Sequence, residues 1–286
     1  MGKVRKVIDV LSRKPTLEGA GVRLQRVFGK ADPALDPFLL LDDFGSEDPA
    51  DYLAGFPWHP HRGIETVTYV LAGSVEHGDS LGNRGVIGSG DVQWMTAGSG
   101  IIHQEMPQRY EGRARAFQLW VNLPAARKMM EPRYREVPAA SIPIVEAAQG
   151  VVVRAIAGEV AGVLGPVRDV IAEPTFFDVT VEPGRVFEQD VAASQTALAY
   201  VIGGDGRFGD DGGAALSDGQ LAVLGGGDLV RGLAGNAPFR FLLFTGRPLR
   251  EPVAWAGPIV MNTDDELAAA FREYRDGTFV KVGGER

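Results

Sequence analysis

Four histidines occur in 286 residues, and three of them fall into two short patterns, His59-Pro60-His61 and His103-Gln104-Glu105. Each pattern sets two metal-capable side chains two residues apart, inside a stretch that otherwise reads as β-strand. Residues i and i+2 of a strand point to the same face, so each pattern aims both of its side chains one way. Two such strands facing one another surround a point with three imidazoles and a carboxylate. That donor set suits Fe, Mn, Ni, Cu or Zn, with affinity alone favouring Cu and Zn. Octahedral coordination would leave two positions open, enough for a bidentate substrate or for a substrate and dioxygen. The chain has no cysteine, which excludes disulfides, thiolate catalysis, thiol redox sensing and a sulfur-rich structural zinc site.

A lone histidine is most often an ordinary polar residue at a strand end; two matched patterns in a chain with so few histidines point to a ligand set. His77 differs, because Glu76-His77-Gly78-Asp79 reads as a turn, and it is assigned to the surface or to a place behind the ligands. Glu65, four residues after His61, competes with Glu105 for the carboxylate position. Pro60 biases His59 toward extended angles and has no N–H for a sheet ladder, so this segment is expected at an edge, mouth or bulge.

The elements that must carry these residues are strands. Glycine is abundant, at 38 residues, and closes short apolar runs such as Thr66–Leu71, Val86–Ile87, Phe176–Val181 and Phe239–Phe244. That rhythm predicts an antiparallel all-β sandwich or barrel rather than βαβ units. The two halves also match. Tyr69-Val70-Leu71-Ala72-Gly73 aligns with Tyr200-Val201-Ile202-Gly203-Gly204, and Ile87–Val92 aligns with Leu216–Leu221. The offset is about 130 residues throughout, as in a duplicated domain. His59 and His61 then fall on Asp190 and Ala192, and no histidine follows His103, so only the first copy is expected to hold a metal. The proline-rich stretch Pro124–Pro143 reads as the crossover, with domains over 1–135 and 136–286. Thr263-Asp264-Asp265-Glu266 has capping-box spacing and predicts a C-terminal packing helix, with Leu267, Phe271 and Tyr274 on one face and Gly277 as its stop. The glycine-rich 203–227 region lacks the Lys-Ser/Thr of a phosphate loop and reads as tight turns.

Composition narrows the class. Hydrophobic residues make up 45% and charged residues 23%, with a net charge of −8, and no basic stripe tracks along the chain. Direct nucleic-acid binding is therefore not expected. No run approaches the roughly 20 apolar residues of a membrane span. The first ten residues have charge but no signal-peptide core, and Gly2 lacks the downstream Ser or Thr of a myristoylation site. A cytoplasmic monomer is the expectation.

At the residue level the chain resembles the pirins, a branch of the cupin superfamily. Phe56-Pro57-Trp58-His59-Pro60-His61-Arg62-Gly63-Ile64-Glu65-Thr66-Val67 is similar to their first signature, and Gly90–Pro107, which contains His103-Gln104-Glu105, to their second. Gln118–Pro124 and Gly257–Thr263 also resemble family segments, so the similarity spans nearly the whole chain. The resemblance implies two cupin barrels in tandem, a short C-terminal helix and a metal only in the first barrel. It implies His59, His61, His103 and Glu105 as ligands, most often of Fe(II), with Cu, Mn, Ni and Zn as alternatives. Glu65 then stands behind the ligands. It further implies a flavonol-opening dioxygenase of the quercetinase type, in which Glu105 takes the 3-hydroxyl proton and carbon monoxide is released. Phe56, Trp58 and Met95, with Trp94 and Phe117, are the expected apolar wall for the flat substrate. The alternative the resemblance carries is a non-enzymatic regulator that binds a transcription factor or a metabolic enzyme according to the oxidation state of its metal.

Overall fold

Short β-branched and aromatic runs, each ended by a glycine or a proline, leave the chain little choice but strands. The computed structural model describes residues 2–210 and 212–281, and these are built from antiparallel strands with one α-helix near the C-terminus. No helix among them is long and apolar enough to cross a membrane.

The described residues divide into two compact units, each discontinuous in sequence. One takes the chain up to Arg13, Asp32–Pro37 and Ala140–Pro248. Its seven-stranded sheet runs, in spatial order, Lys6–Ser12, Gln220–Gly225, Thr196–Gly203, Phe239–Gly246, Thr175–Val181, Val151–Ala157, Ile144–Ala148. Its four-stranded sheet runs Val186–Asp190, Leu229–Ala234, Asp205–Phe208, Ala214–Ser217. One buried cluster joins the inner faces of both sheets. At its centre, Phe187, Phe208, Phe239 and Phe241 stack edge-on or tilted, with ring centroids 5.0–5.5 Å apart. Such contacts add to the stabilisation given by the area buried.

The other unit takes Lys14–Ala31, Phe38–Ala139 and the chain from Leu249 onward. Its large sheet runs Arg133–Val137, Val92–Thr96, Ile64–Ala72, Arg115–Asn122, Phe38–Phe44, Val22–Gly29, Lys14–Glu18. Its small sheet runs Phe56–His61, Ile101–Pro107, Val75–Asp79, Arg84–Ile87. The strand order repeats that of the first unit, and the Tyr69 and Tyr200 strands hold the same third place in their sheets. The duplication read from the sequence is therefore a duplicated sandwich. Part of this second interior is apolar, with Leu24, Phe44 and Val70 of the large sheet meeting Val75 and Ile87 of the small one. Elsewhere between these sheets stand the histidines.

The C-terminal helix, Asp264–Arg275, begins with the predicted capping box: Thr263 Oγ1 accepts from Glu266 N, and Glu266 Oε2 accepts from Thr263 N. A cap of this kind is worth about 1 kcal/mol. The packed face differs in part from the expectation. Leu267 and Ala270 meet Ile259, Met261 and Phe279, and Tyr274 meets the Phe279 ring edge-on, whereas Phe271 is partly exposed and outside this cluster. The buried stripe follows the small Ala270, one position before Phe271.

Candidate metal centre

The Phe56–His61 strand lies antiparallel to Ile101–Pro107, with His59 opposite His103 and His61 opposite Ile101. The three imidazoles converge. Their ring centroids lie 4.4 Å (His59–His103), 4.8 Å (His59–His61) and 5.0 Å (His61–His103) apart, and one ring nitrogen of each falls within 4.8 Å of the others. His59 Nε2 and His61 Nε2 are 3.1 Å apart. Two nitrogens each about 2.1 Å from one ion would stand about 3 Å from one another, so this spacing fits a shared metal.

The hydrogen bonds on the far side of the rings choose the tautomers. His59 Nδ1 lies 2.9 Å from Pro57 O, and His61 Nδ1 lies 2.9 Å from Pro258 O. A carbonyl only accepts, so each Nδ1 carries the proton and each Nε2 presents a lone pair to the shared point. His103 is fully buried, and neither of its ring nitrogens has a hydrogen-bond partner among the described residues. Leaving a buried polar atom unsatisfied costs about 1–3 kcal/mol, a cost that an ion would remove. Burial, with the charge of His59 adding and the Pro258 hydrogen bond opposing, holds His61 down to about 3. Burial, and then the neighbouring histidines, lower His103 well below its ordinary value. Both rings are thus neutral and able to act as ligands at neutral pH.

Glu105 follows on the His103 strand after a register shift that sets it opposite Phe56. It is buried and lines the same cavity as His59 and His61, although it stands outside the close trio of nitrogens. Its Oε1 accepts from Thr68 Oγ1 at 2.8 Å, and the Gln118 amide lies 2.7 Å from the same hydroxyl. One hydroxyl has one proton to donate, so when Thr68 donates to Glu105 its oxygen accepts from Gln118, whose amide is then turned with its NH2 toward Thr68.

Glu65 is not part of this cluster. It lies on the face of Ile64–Ala72 opposite to Thr68, is fully buried, and its Oε1 accepts from Thr96 Oγ1 at 2.7 Å. Burial pushes its carboxyl up. Of the five residues expected to form an apolar wall, Phe56 lines the cavity. Met95 is packed among Leu39, Ile64, Ala97 and Ile101, and Trp94 and Phe117 are also buried away from the cavity. Trp58 is about half exposed and lies beside Gly78.

His77 corrects the turn reading. It sits inside the strand Val75–Asp79, fully buried, with Nε2 3.1 Å from Asp79 Oδ2 and Nδ1 3.1 Å from Gln93 Nε2. Its ring stacks on Tyr134 at 4.6 Å and lies 5.5 Å from that of His103. Although burial pushes the Asp79 carboxyl up, hydrogen bonds from His77 and Asn83 win and hold it below the usual range.

His59 and His61 open on a cavity of about 890 Å³. Leu24, Leu40, Trp120, Val253 and Trp255 supply its apolar wall. Trp120 meets His61 edge-on at 5.0 Å and Trp255 at 5.8 Å. Arg26 and Asp42, cross-strand partners, form a bidentate pair in the same wall with two contacts of 2.8 Å, and Arg26 also reaches Glu18 at 2.8 Å. The sequence reading missed Trp120, Trp255, Arg26 and Asp42 as lining residues. Alternation along Gln118-Leu119-Trp120 could have shown that Gln118 and Trp120 share a face; nothing local marks the other three.

The chain matches two family models, "Pirin" over residues 21–121 and "Pirin C-terminal cupin domain" over 176–280. It is 46% identical over 278 residues to a pirin-like protein of Caulobacter vibrioides, covering 96% of this chain and 99% of that one. It is 43% identical over 293 residues to the pirin of Homo sapiens, covering 100% and 97%. Its structure is similar to the crystal structure of a quercetin 2,3-dioxygenase from Acinetobacter baumannii, with a TM-score of 0.89 and 33% identity over 96% of this chain and 98% of that one. The chain therefore belongs to the pirin family and has its two-cupin, all-β architecture.

Proposed function

We propose that His59, His61, His103 and Glu105 hold one divalent transition metal, Fe(II) ahead of Cu, Mn, Ni and Zn, and that the protein is a flavonol-opening dioxygenase of the quercetin 2,3-dioxygenase type. The observation that carries this reading is the convergence of three imidazoles, two of them with Nε2 atoms 3.1 Å apart, beside a cavity of about 890 Å³ that His59, His61 and Glu105 line. That volume suits a small, mostly apolar ligand with a few polar anchors. The similarity to the Acinetobacter baumannii quercetin 2,3-dioxygenase supports the substrate class.

A metal held there supplies Lewis-acid polarisation of the substrate hydroxyl and the redox capacity for reaction with dioxygen. The rest falls to the chain. Glu105, with Oε1 fixed by Thr68, accepts the proton of the flavonol 3-hydroxyl as general base. Phe56 and Trp120 flank the aromatic plane, and the apolar wall keeps bulk water from the ring that opens with loss of carbon monoxide. The test is turnover of quercetin and related flavonols under oxygen by protein loaded with each of these metals, with carbon monoxide as the readout. Iron-loaded protein is expected to turn over. A filled site that releases none from any flavonol overturns the reading.

A further inference from the structure

We infer that the segment Gly257–Thr263 is a working part of the metal centre: the Pro258 carbonyl positions His61, and Arg62, Gly63 and Lys128 fasten that carbonyl in place. This rests on the metal reading above.

His61 Nδ1 donates to Pro258 O at 2.9 Å, across 197 positions of sequence. The residues just after each partner then lock together. Arg62 and Ile259 pair as a short parallel bridge, and Val260 N donates to Arg62 O at 3.1 Å. Gly63 has φ +78, and a Cβ there would stand 1.9 Å from Val260 O, so the two backbones touch where only glycine fits. Lys128 Nζ closes the contact from a third direction. As an ammonium it donates to Gly63 O at 2.8 Å, Val260 O at 3.1 Å and Asn122 Oδ1 at 2.6 Å.

Arg62 reaches further along the C-terminal segment. Its guanidinium is 2% exposed and donates to Ser99 O at 2.7 Å and Phe279 O at 2.9 Å. It also pairs with Glu273 of the C-terminal helix at 2.7 Å and lies 4.2 Å above the Phe279 ring. A buried guanidinium is tolerated only with its acceptors in place, so the residue beside His61 needs the C-terminal segment as much as the segment needs it. The restraints meet on residues 61–63, and what they fix is which His61 nitrogen keeps its proton and where the other one points. A carbonyl that fixes a ligand histidine from behind typically changes metal affinity about 10–100-fold when lost.

The experiment uses the full-length chain as wild type, Gly63→Ala, Arg62→Met and Arg62→Lys. Folding is followed by circular dichroism, Co2+ affinity by titration, and the His61 tautomer in metal-free protein by 15N imidazole NMR. Wild type is expected to show His61 protonated at Nδ1. In Gly63→Ala and Arg62→Met that state is lost and Co2+ binding weakens about 10–100-fold, with partial recovery in Arg62→Lys. Should Gly63→Ala fail to fold, Arg62→Met decides alone. Wild-type Co2+ affinity together with an intact Nδ1–H signal in the folded variants overturns the inference and leaves the metal reading standing. Loss of the Nδ1–H signal in variants of a protein that binds no Co2+ even as wild type overturns the metal reading and leaves the positioning role standing.

Discussion

His103 sits between two partners on neighbouring strands, directly opposite His59 on one side and Asp79 on the other. The four-stranded sheet thus puts its middle histidine within 4.4 Å of one imidazole and 5.5 Å of another, His77, which Asp79 and Gln93 hold. The two neighbours have different work. His59 faces the cavity, while both nitrogens of His77 are taken.

Replacing His103 and His77 in turn separates these roles. His103→Ala is expected to cut bound metal to less than about a tenth of wild type in metal analysis of purified protein. His77→Ala is expected to keep its metal and lose about 1–3 kcal/mol of stability in denaturant unfolding, because Asp79 and Gln93 lose a buried partner. Equal loss of metal in both variants would show that the ligand set is wrongly drawn.

Thr68 holds the Glu105 carboxylate by a single hydroxyl. Thr68→Val keeps the shape and removes that hydrogen bond. Bound metal is expected to stay near wild type while flavonol turnover falls about tenfold, the scale seen when a group behind a metal site is lost. Unchanged turnover would remove Thr68 from the proton-transfer step.

Trp120 stands edge-on to His61 in the cavity wall. Trp120→Leu is expected to raise KM for a flavonol about tenfold, since an aromatic contact is worth roughly 0.5–1.5 kcal/mol beyond the area it covers. Metal content should not move. A fall in kcat at constant KM would point to a role in orienting His61 instead.

Lys128 gives the chain a pH dependence of its own. Burial lowers its ammonium to about 7, with Glu251 and Glu266 pulling the other way. The unfolded chain keeps this proton up to about pH 10.4. Between the two values the unfolded state binds more protons than the folded state, so stability rises with pH across that window and falls on descent toward pH 7. Unfolding measured from pH 7 to 9 should show this slope in wild type and a flatter line in Lys128→Met. Equal slopes would mean that the side chain keeps an ordinary ammonium in the fold.

The sequence was most informative where chemistry and periodicity coincide. The His-x-His strand, the duplicated strand order and the helix cap are local patterns, and the structure has all three. Glu65 shows how parity fails. Counted from His61 it should share a face with the ligands, but Gly63 at φ +78 ends one strand and resets the alternation before Ile64. Met95 and Trp94 fail for a different reason: every residue of Val92–Thr96 is buried, so neither face is marked by polarity and the pattern cannot choose between them. The link from Pro258 to His61 joins positions too distant for any local pattern to register.

The four phenylalanines between the sheets of the first unit have an engineering consequence. The strand orders are identical, so the difference between a sandwich with a cavity and one filled by phenylalanines lies in side chains rather than in topology. Phe241→Ala is expected to cost about 3–5 kcal/mol and to leave a dry void. Such voids take up xenon or benzene, a signal readable by xenon NMR or by stabilisation under benzene vapour. The plugged copy is thus a vacant lot with its walls already standing, open to a new binding chamber without any change of topology.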